Sequence, residues 1–535
     1  MTKRKTLFYV TIFIISFMVG WGVFCIFRPN HTQKTTDAIE TNKYGAFLAA
    51  QHAIYVNDFE TAPEFIKTFA DVEYDTVKNT RILAEFLGGQ IPTDVATLAK
   101  DMNPASRIIY DTYLVKNDKW DEIYKRRNTD KSAVYAPIRI WSAIAIDRKT
   151  ETLKYIDSLD SNSSWKSFIR GQIYAEQGDT EKAAGAFANV SPDFMNINDY
   201  LYIMSFYRAH DMDDAAEQLR QDFSSNPGGM FMADYDDIPD WENFSGIKNA
   251  LAFGLVQNVS HAQIMLYSDL SVLMLRFAQI IGPQTPFFQN TINYYLGQFF
   301  ANMGGNYAKY MDSIDKNSPF YLFGKMRTDN SPKQLKKILD EHPLFVPALN
   351  KLVAYYTAAG DRRGALRIIN RALKNKKLSG AGRAYITKRR ALVHLLFGDL
   401  NSAQRDIHDA AKILTVDAEI LSIQARIWAA QGREIENAYD YAMTMIKQNP
   451  TDIVAWDTVA VVVGTREGND AALEILEKIG GTANTCSSLF EHLGDAYAIK
   501  GDKSSARAAY MRAIELADDG LSVVPKIEKK LQKIK

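Results

Sequence analysis

Gly494-x-x-Tyr497-x-x-x-Gly501-Asp502-x-x-x-Ala506-x-x-x-Tyr510-x-x-Ala513 is the stretch on which the fold turns. The same residue classes return as Gly171-x-x-Tyr174-x-x-x-Gly178-Asp179-x-x-x-Ala183-x-x-x-Phe187, and again as Tyr356-x-x-x-Gly360-Asp361-x-x-x-Ala365-x-x-x-Ile369-x-x-Ala372. Turns at Gly360, Gly398, Gly432, Gly468 and Gly501 recur every 33–38 residues. A fixed period in this range marks stacked two-helix units, none of which can bury its apolar face alone. A plain amphipathic bundle has no such period.

Each unit is read from its turn. Glycine ends one helix because it takes positive φ without steric cost, and the Asp that follows can cap the next. Seven residues before the turn stands a small or modest residue: Gly171, Gly297, Val353, Ala391, Ala425 and Gly494. Five after it stand Ala183, Ala215, Ala365, Ala403 and Ala506, so two antiparallel helices can approach closely. Bulky residues fill the interior four before the turn (Tyr174, Phe206, Phe300, Tyr356, Trp428, Tyr497) and nine after it (Phe187, Leu219, Ile369, Ile407, Tyr510). Pro227, Pro343 and Pro450 fall between units, where a missing N–H ends a helix. In these offsets the chain resembles the tetratricopeptide repeat family, most clearly over 343–518.

The expected fold is all-α: a right-handed α-solenoid of tetratricopeptide-type helical hairpins, preceded by one N-terminal transmembrane helix. Residues 1–6 form a cytoplasmic N-terminus, 7–27 the membrane anchor and 28–42 a polar tether. Divergent repeats cover 43–342, a regular array 343–518, and a polar capping helix 519–535. A first hairpin turns at Asn57-Asp58, another at His210-Asp211, and residues 71–160 are helical but irregular. Residues 228–245 interrupt the pattern. They read as a solvated connector, with a cation site built from Asp234, Asp236, Asp237 and Asp240 as the sharper alternative.

The anchor rests on Leu7 to Phe27, an uncharged run of 21 residues behind Lys3, Arg4 and Lys5. About 20 apolar residues suffice to span a bilayer. A cleaved signal peptide would have a shorter apolar region and a small-x-small site. A lipoprotein would use Cys25, which follows the bulky Phe24. The basic cluster keeps the N-terminus in the cytoplasm, placing the repeat body in the periplasm of a bacterium. A second apolar run, Ile264 to Ile281, contains Asp269 and Arg276 and reads as a buried solenoid helix.

Sixty-three basic and 63 acidic residues give a formal net charge of zero, without the cationic excess of a nucleic-acid binder. The two cysteines, Cys25 and Cys486, are too far apart in role to suggest an internal disulfide. No metal, cofactor or nucleophile motif is present, so neither catalysis nor a small-molecule substrate is expected. Gly501-Asp502-Lys503-Ser504 lacks the glycine a phosphate loop needs five residues earlier. His394 sits at a bulky interior offset and reads as a core histidine.

What the pattern does expose is the concave face lined by the first helix of each hairpin. Its facing offsets are Tyr385, Lys388, Ser422, Arg426, Asp457, Glu491 and Asp495, cationic at one end and anionic at the other. Such a face suits a protein partner with segregated charge. The segments Asn449 to Thr458 and Glu491 to Tyr497 resemble large bacterial envelope tetratricopeptide proteins. That class includes lipoproteins tethering a processing protease to cell-wall hydrolases. The chain is also similar to an anchored adaptor of lipopolysaccharide synthesis, although it lacks that protein's paired Cys-x-x-Cys module. The resemblance implies a membrane-tethered scaffold for envelope proteins, with an envelope protease or cell-wall enzymes among the partners. A self-associating assembly protein and a cytoplasm-facing regulatory adaptor are the alternatives.

Overall fold

The computed structural model describes residues 43–534 apart from 60, 70–73, 93–94, 101–102, 131, 262–268, 304, 416 and 482–485. The expected anchor, tether and Cys25 lie outside the described residues. Within them every regular element is helical. Helices α1 (Lys43–Tyr55), α2 (Ala62–Ile66) and α3 (Asp75–Leu87) open the body. Four hairpins follow: α4 (Pro104–Lys116) with α5 (Trp120–Arg127), α6 (Ala136–Ala145) with α7 (Lys149–Ser158), α8 (Ser163–Glu176) with α9 (Thr180–Ala188), and α10 (Ile197–Ala209) with α11 (Asp213–Ser225). Two apolar helices, α12 (Ile247–His261) and α13 (Asp269–Ile281), interrupt the hairpins.

The stack resumes with α14 (Pro286–Met303) and α15 (Tyr307–Asp312), then α16 (Tyr321–Thr328) and α17 (Pro332–Glu341). The regular array comprises α18 (Val346–Ala358) with α19 (Arg362–Leu373), α20 (Gly380–Leu396) with α21 (Leu400–Ala411), α22 (Ala418–Gln431) with α23 (Ile435–Gln448), α24 (Ile453–Arg466) with α25 (Asn469–Gly480), and α26 (Ser487–Lys500) with α27 (Lys503–Glu515). A last helix, α28 (Val524–Lys533), closes the chain.

The turn chemistry accounts for the hairpins. Gly501 ends α26 with φ of +86°, and the Asp502 carboxylate accepts the Ser505 N–H at 3.0 Å. Asp179, Asp361 and Asp399 cap α9, α19 and α21 in the same way. The small seats are equally literal. A Cβ on Gly494 would stand 2.5 Å from the Tyr510 ring, and one on Gly171 would stand 2.4 Å from Phe187. Ala506 is fully buried against Tyr510 and Ile527. Ala506→Leu should therefore overpack the last hairpin, costing about 1–3 kcal/mol, read as a lower urea midpoint at unchanged slope.

The irregular stretch contains two full hairpins. Their turns use Asp118 and Asp147, at φ +54° and +60°, where other units have glycine. Asp is among the few side chains that tolerate this region, so the glycine signature vanishes while the geometry stays. The turn expected at His210-Asp211 is shifted by one: Asp211 takes the positive φ of +55°. The small buried seat is consequently Ala216 and not Ala215, which is only half-buried.

Residues 228–245 are not a solvated connector. Met230, Phe231, Met232 and Phe244 are buried. Trp241 meets Tyr202 and Phe206 at ring-centroid distances of 5.2 and 5.4 Å. Phe231 meets Phe323 and Phe345 at 5.7 and 5.3 Å. The aromatics need burial more than the carboxylates need water, so the segment is a wedge between α10 on one side and α16 and the start of α18 on the other. Asp236 pairs with Arg220 at 3.2 Å, and no metal-holding group of acidic, His or Cys side chains occurs among the described residues.

Helices α12 and α13 depart from a linear stack, in which each unit would touch only its neighbours. They lie along the first helices of the opening hairpins. Phe253 of α12 packs on Phe168 of α8 and Tyr202 of α10, at 6.1 and 4.9 Å. Asn258 donates to the Val134 carbonyl at 2.9 Å, and α13 packs on α3 and α4. One apolar core consequently runs from Phe59 to Val393. Arg276, the charge within the second apolar run, is buried in α13 and donates to the Tyr310 hydroxyl at 3.1 Å. No helix among the described residues is long and apolar enough to cross a membrane.

Candidate partner-binding face

The seven residues expected to face the groove lie on first helices of the regular array (α20, α22, α24 and α26), and the structure joins them into a relay of polar contacts from hairpin to hairpin. Asn350 of α18 donates to the Tyr385 hydroxyl at 2.9 Å, and the Lys388 ammonium sits 5.0 Å over the Tyr385 ring. Lys388 is buried. It pairs with Asp417 at 2.7 Å and Glu419 at 2.9 Å, and Arg389 takes the other Glu419 oxygen at 2.6 Å. Burial alone would depress the Lys388 pKa, but Glu419 and Asp417 hold it above the usual lysine value.

The Ser422 and Thr458 hydroxyls lie 2.7 Å apart. Thr458 donates to the Val454 carbonyl, so Ser422 is the donor between them. Asp457 is fully buried and accepts from Ser488 and His492, both at 2.7 Å. Burial pushes its carboxyl up, but His492, buried Arg426 and Ser488 together hold it below the ordinary range. Glu491 and Asp495, one turn apart on α26, share Lys530 of α28 at 2.7 Å each. Glu491 also accepts from Ser522 at 2.8 Å, and Asp495 from Tyr510 at 2.7 Å.

Lys530 belongs to a strap of residues 516–534 that turns back from the last hairpin over this face. Asp519 accepts the Ser487 N–H at 2.7 Å, capping α26. Asp518 pairs with Lys351 of α18 at 3.1 Å. At Gly520, with φ of +76°, a Cβ would lie 2.6 Å from the Ala354 Cβ. Leu521 packs against apolar groups of both α20–α22 and α24–α27, and Lys526 donates to the Leu396 carbonyl at 2.6 Å. Beside the strap remains a cavity of about 710 Å³ bordered by Tyr307, Arg327, Asn350, Lys351, Arg389 and Asp518.

Lys388 and Arg426 precede Asp457, Glu491 and Asp495 along the row, but Lys388, Ser422, Arg426 and Asp457 are buried between the helices and do not face an open groove, because their internal partners hold them there. Reading the sequence missed Arg389, His492, Asp519, Ser522 and Lys530. The signal available was the lysine-rich tail, opposite in sign to the i, i+4 carboxylates Glu491 and Asp495. His394 is half-buried near Asp399 and Asp406, and desolvation draws its pKa down. Cys486 is buried with a free thiol, pushed up to about 11 by burial.

No family model matches the chain, and neither does any curated protein. Among solved structures it is similar to a tetratricopeptide repeat protein from Parabacteroides merdae, with 14% identity over 54% of this chain and 99% of that one, at a TM-score of 0.30. It is also similar to the APC/C hetero-tetramer Cut9-Hcn1, with 11% identity over 92% of this chain and 96% of that one, TM-score 0.30. Yeast Tom70 matches at 12% identity, 92% and 96% coverage, and a TM-score of 0.24. Left-handed turns at the expected glycines, aspartate caps behind them, and small seats facing aromatic ones make the described residues an all-α solenoid of hairpins in the tetratricopeptide pattern.

Proposed function

We propose that the chain is a membrane-tethered scaffold whose second array binds protein partners of the bacterial envelope through its concave face. The observation that carries this is the row of first helices itself: a relay of paired polar groups from Tyr385 to Asp495 that fixes their spacing, beside an open cavity. Its titratable groups hold one another in structural pairs, which fixes the spacing of the first helices along which a partner would lie. An anchor over residues 7–27 with the body outside the cytoplasm would make an envelope protease or cell-wall enzymes reachable.

The test uses the full chain in its membrane, with a photo-crosslinking side chain at exposed Tyr355 or at half-buried Lys351. Heterologous envelope proteins captured at these positions support the scaffold. Copies of the chain alone favour a self-associating assembly protein. A reporter fused after Lys535 that is active only in the periplasm should give signal. Replacing Lys3, Arg4 and Lys5 by Asn should scramble that signal. Activity of a cytoplasm-only reporter would instead support a cytoplasmic regulatory adaptor.

A further inference from the structure

We infer that the strap of residues 516–534 is a built-in occupant of the concave face, and that the partner is a peptide repeating its charge order. That peptide has an acidic pair, a short apolar stretch, and then a basic amphipathic helix. This rests on the concave-face reading above and names the chemistry the face takes.

The strap binds as a ligand would. Its acidic pair meets the cationic end through Lys351 and caps α26 through Asp519. Ser522 and Val523 are buried in the middle, and Lys530 pairs with both carboxylates of the anionic end. It thereby engages Glu491 and Asp495 directly and bridges α18 to α26. A partner using these residues must displace it.

The two halves of its attachment differ in strength. Ile527 is fully buried among Ala506, Tyr510 and Ala513, which fixes α28 to the last hairpin. The reach back to α18 and α20 rests on Asp518, 79% exposed in its pair with Lys351, on half-buried Leu521 packed against apolar groups of α20–α22, and on Gly520 and Pro525 lying against Ala354 and Gly360. One exposed lysine–carbonyl contact completes it. The exposed ion pair contributes little, so Leu521 and Gly520 carry the reach, and a peptide of matching chemistry opens the strap by taking those two seats with the higher affinity. The open cavity beside Asp518 is the place where such a peptide can begin to enter.

Two variants of the full chain release the strap by different means. Gly520→Val puts a β-branched residue into the left-handed region and against Ala354. Lys530→Glu sets a third carboxylate beside Glu491 and Asp495. The probe is a fluorescent peptide with the sequence of residues 516–535. Both variants should bind it at least tenfold more tightly than the unaltered chain. A peptide with Asp518 and Asp519 changed to Asn and Lys530 to Glu should not bind. In the unaltered chain, amides of 518–526 should exchange at least tenfold faster than those of α26 and α27.

Equal affinity of the unaltered and altered chains overturns the inference. So does exchange of the strap in step with α26 and α27, which would make it a fixed part of the hairpin and needs no variant to be measured. A concentration-dependent dimer of the unaltered chain that Gly520→Val abolishes would replace the foreign peptide by a second copy. If crosslinking captures an envelope partner while the peptide fails, the strap reading falls and the scaffold stands. A peptide that binds where no partner is captured separates them the other way.

Discussion

Arg127→Met should lower stability by about 3–5 kcal/mol, the range for removing one partner of a fully buried ion pair. Arg127 and Asp111 are both completely buried, the guanidinium donating twice to one carboxylate oxygen. A second carboxylate, Asp130, accepts from the same guanidinium at 2.9 Å. Burial raises the Asp111 pKa despite Arg127 and Arg126 beside it, so the site is already costly for a charge. Without Arg127 the carboxylate loses its main compensation.

Asp111 stands seven before the left-handed residue Asp118, and Arg127 nine after it. Those are the seats of Gly171 and Phe187, and of Gly494 and Tyr510, which meet in contact elsewhere. The ion pair is therefore one hairpin's version of a glycine–aromatic contact. The double change Asp111→Gly with Arg127→Phe should recover most of the loss, since an apolar replacement of a buried pair is often neutral. Urea midpoints of both single variants and the double variant check this. A double variant no better than Arg127→Met would remove the equivalence.

This pair shows what was legible in the sequence and what was not. Offsets that depend on one backbone conformation could be read wherever glycine marks it: Gly178, Gly360, Gly398, Gly432 and Gly501 all adopt positive φ. Where Asp118, Asp147 or Asp211 takes that conformation, the residue type does not announce it. The reading then blurred, as at residues 71–160, or slipped by one, as at His210. That the residues from Tyr385 to Asp495 share the first helices followed from helical periodicity; that Lys388, Ser422, Arg426 and Asp457 are buried did not. Their partners did not, because Lys351–Asp518 and Lys530–Glu491 join residues distant in sequence. Local pattern carries no information about which distant segment folds into a groove. The wedge at 228–245 was misread for the same reason: its aromatics are buried by hairpins on both sides of it in the chain.

Trp141→Ala should cost about 3–5 kcal/mol, the range for truncating a large buried aromatic. It should also loosen more of the molecule than one hairpin. Trp141 is fully buried, and its indole nitrogen makes no hydrogen bond, so packing accounts for the loss. It stands on α6 against α12: a Cβ on Gly254 would lie 3.2 Å from Pro137 and 3.6 Å from the Trp141 nitrogen. From there α12 continues to Tyr202 through Phe253 and to Asp199 of α10, which accepts from Gln257 and lies 2.6 Å from His261. In a linear stack, damage at α6 would reach only the adjoining units. Here α12 connects α6, α8 and α10 directly, so all three should lose hydrogen-exchange protection together. Ala506→Leu, at the far end, should leave residues 136–261 protected. Loss confined to 136–158 in Trp141→Ala would show that α12 rests on the first hairpins without coupling them. The first array would then unfold unit by unit.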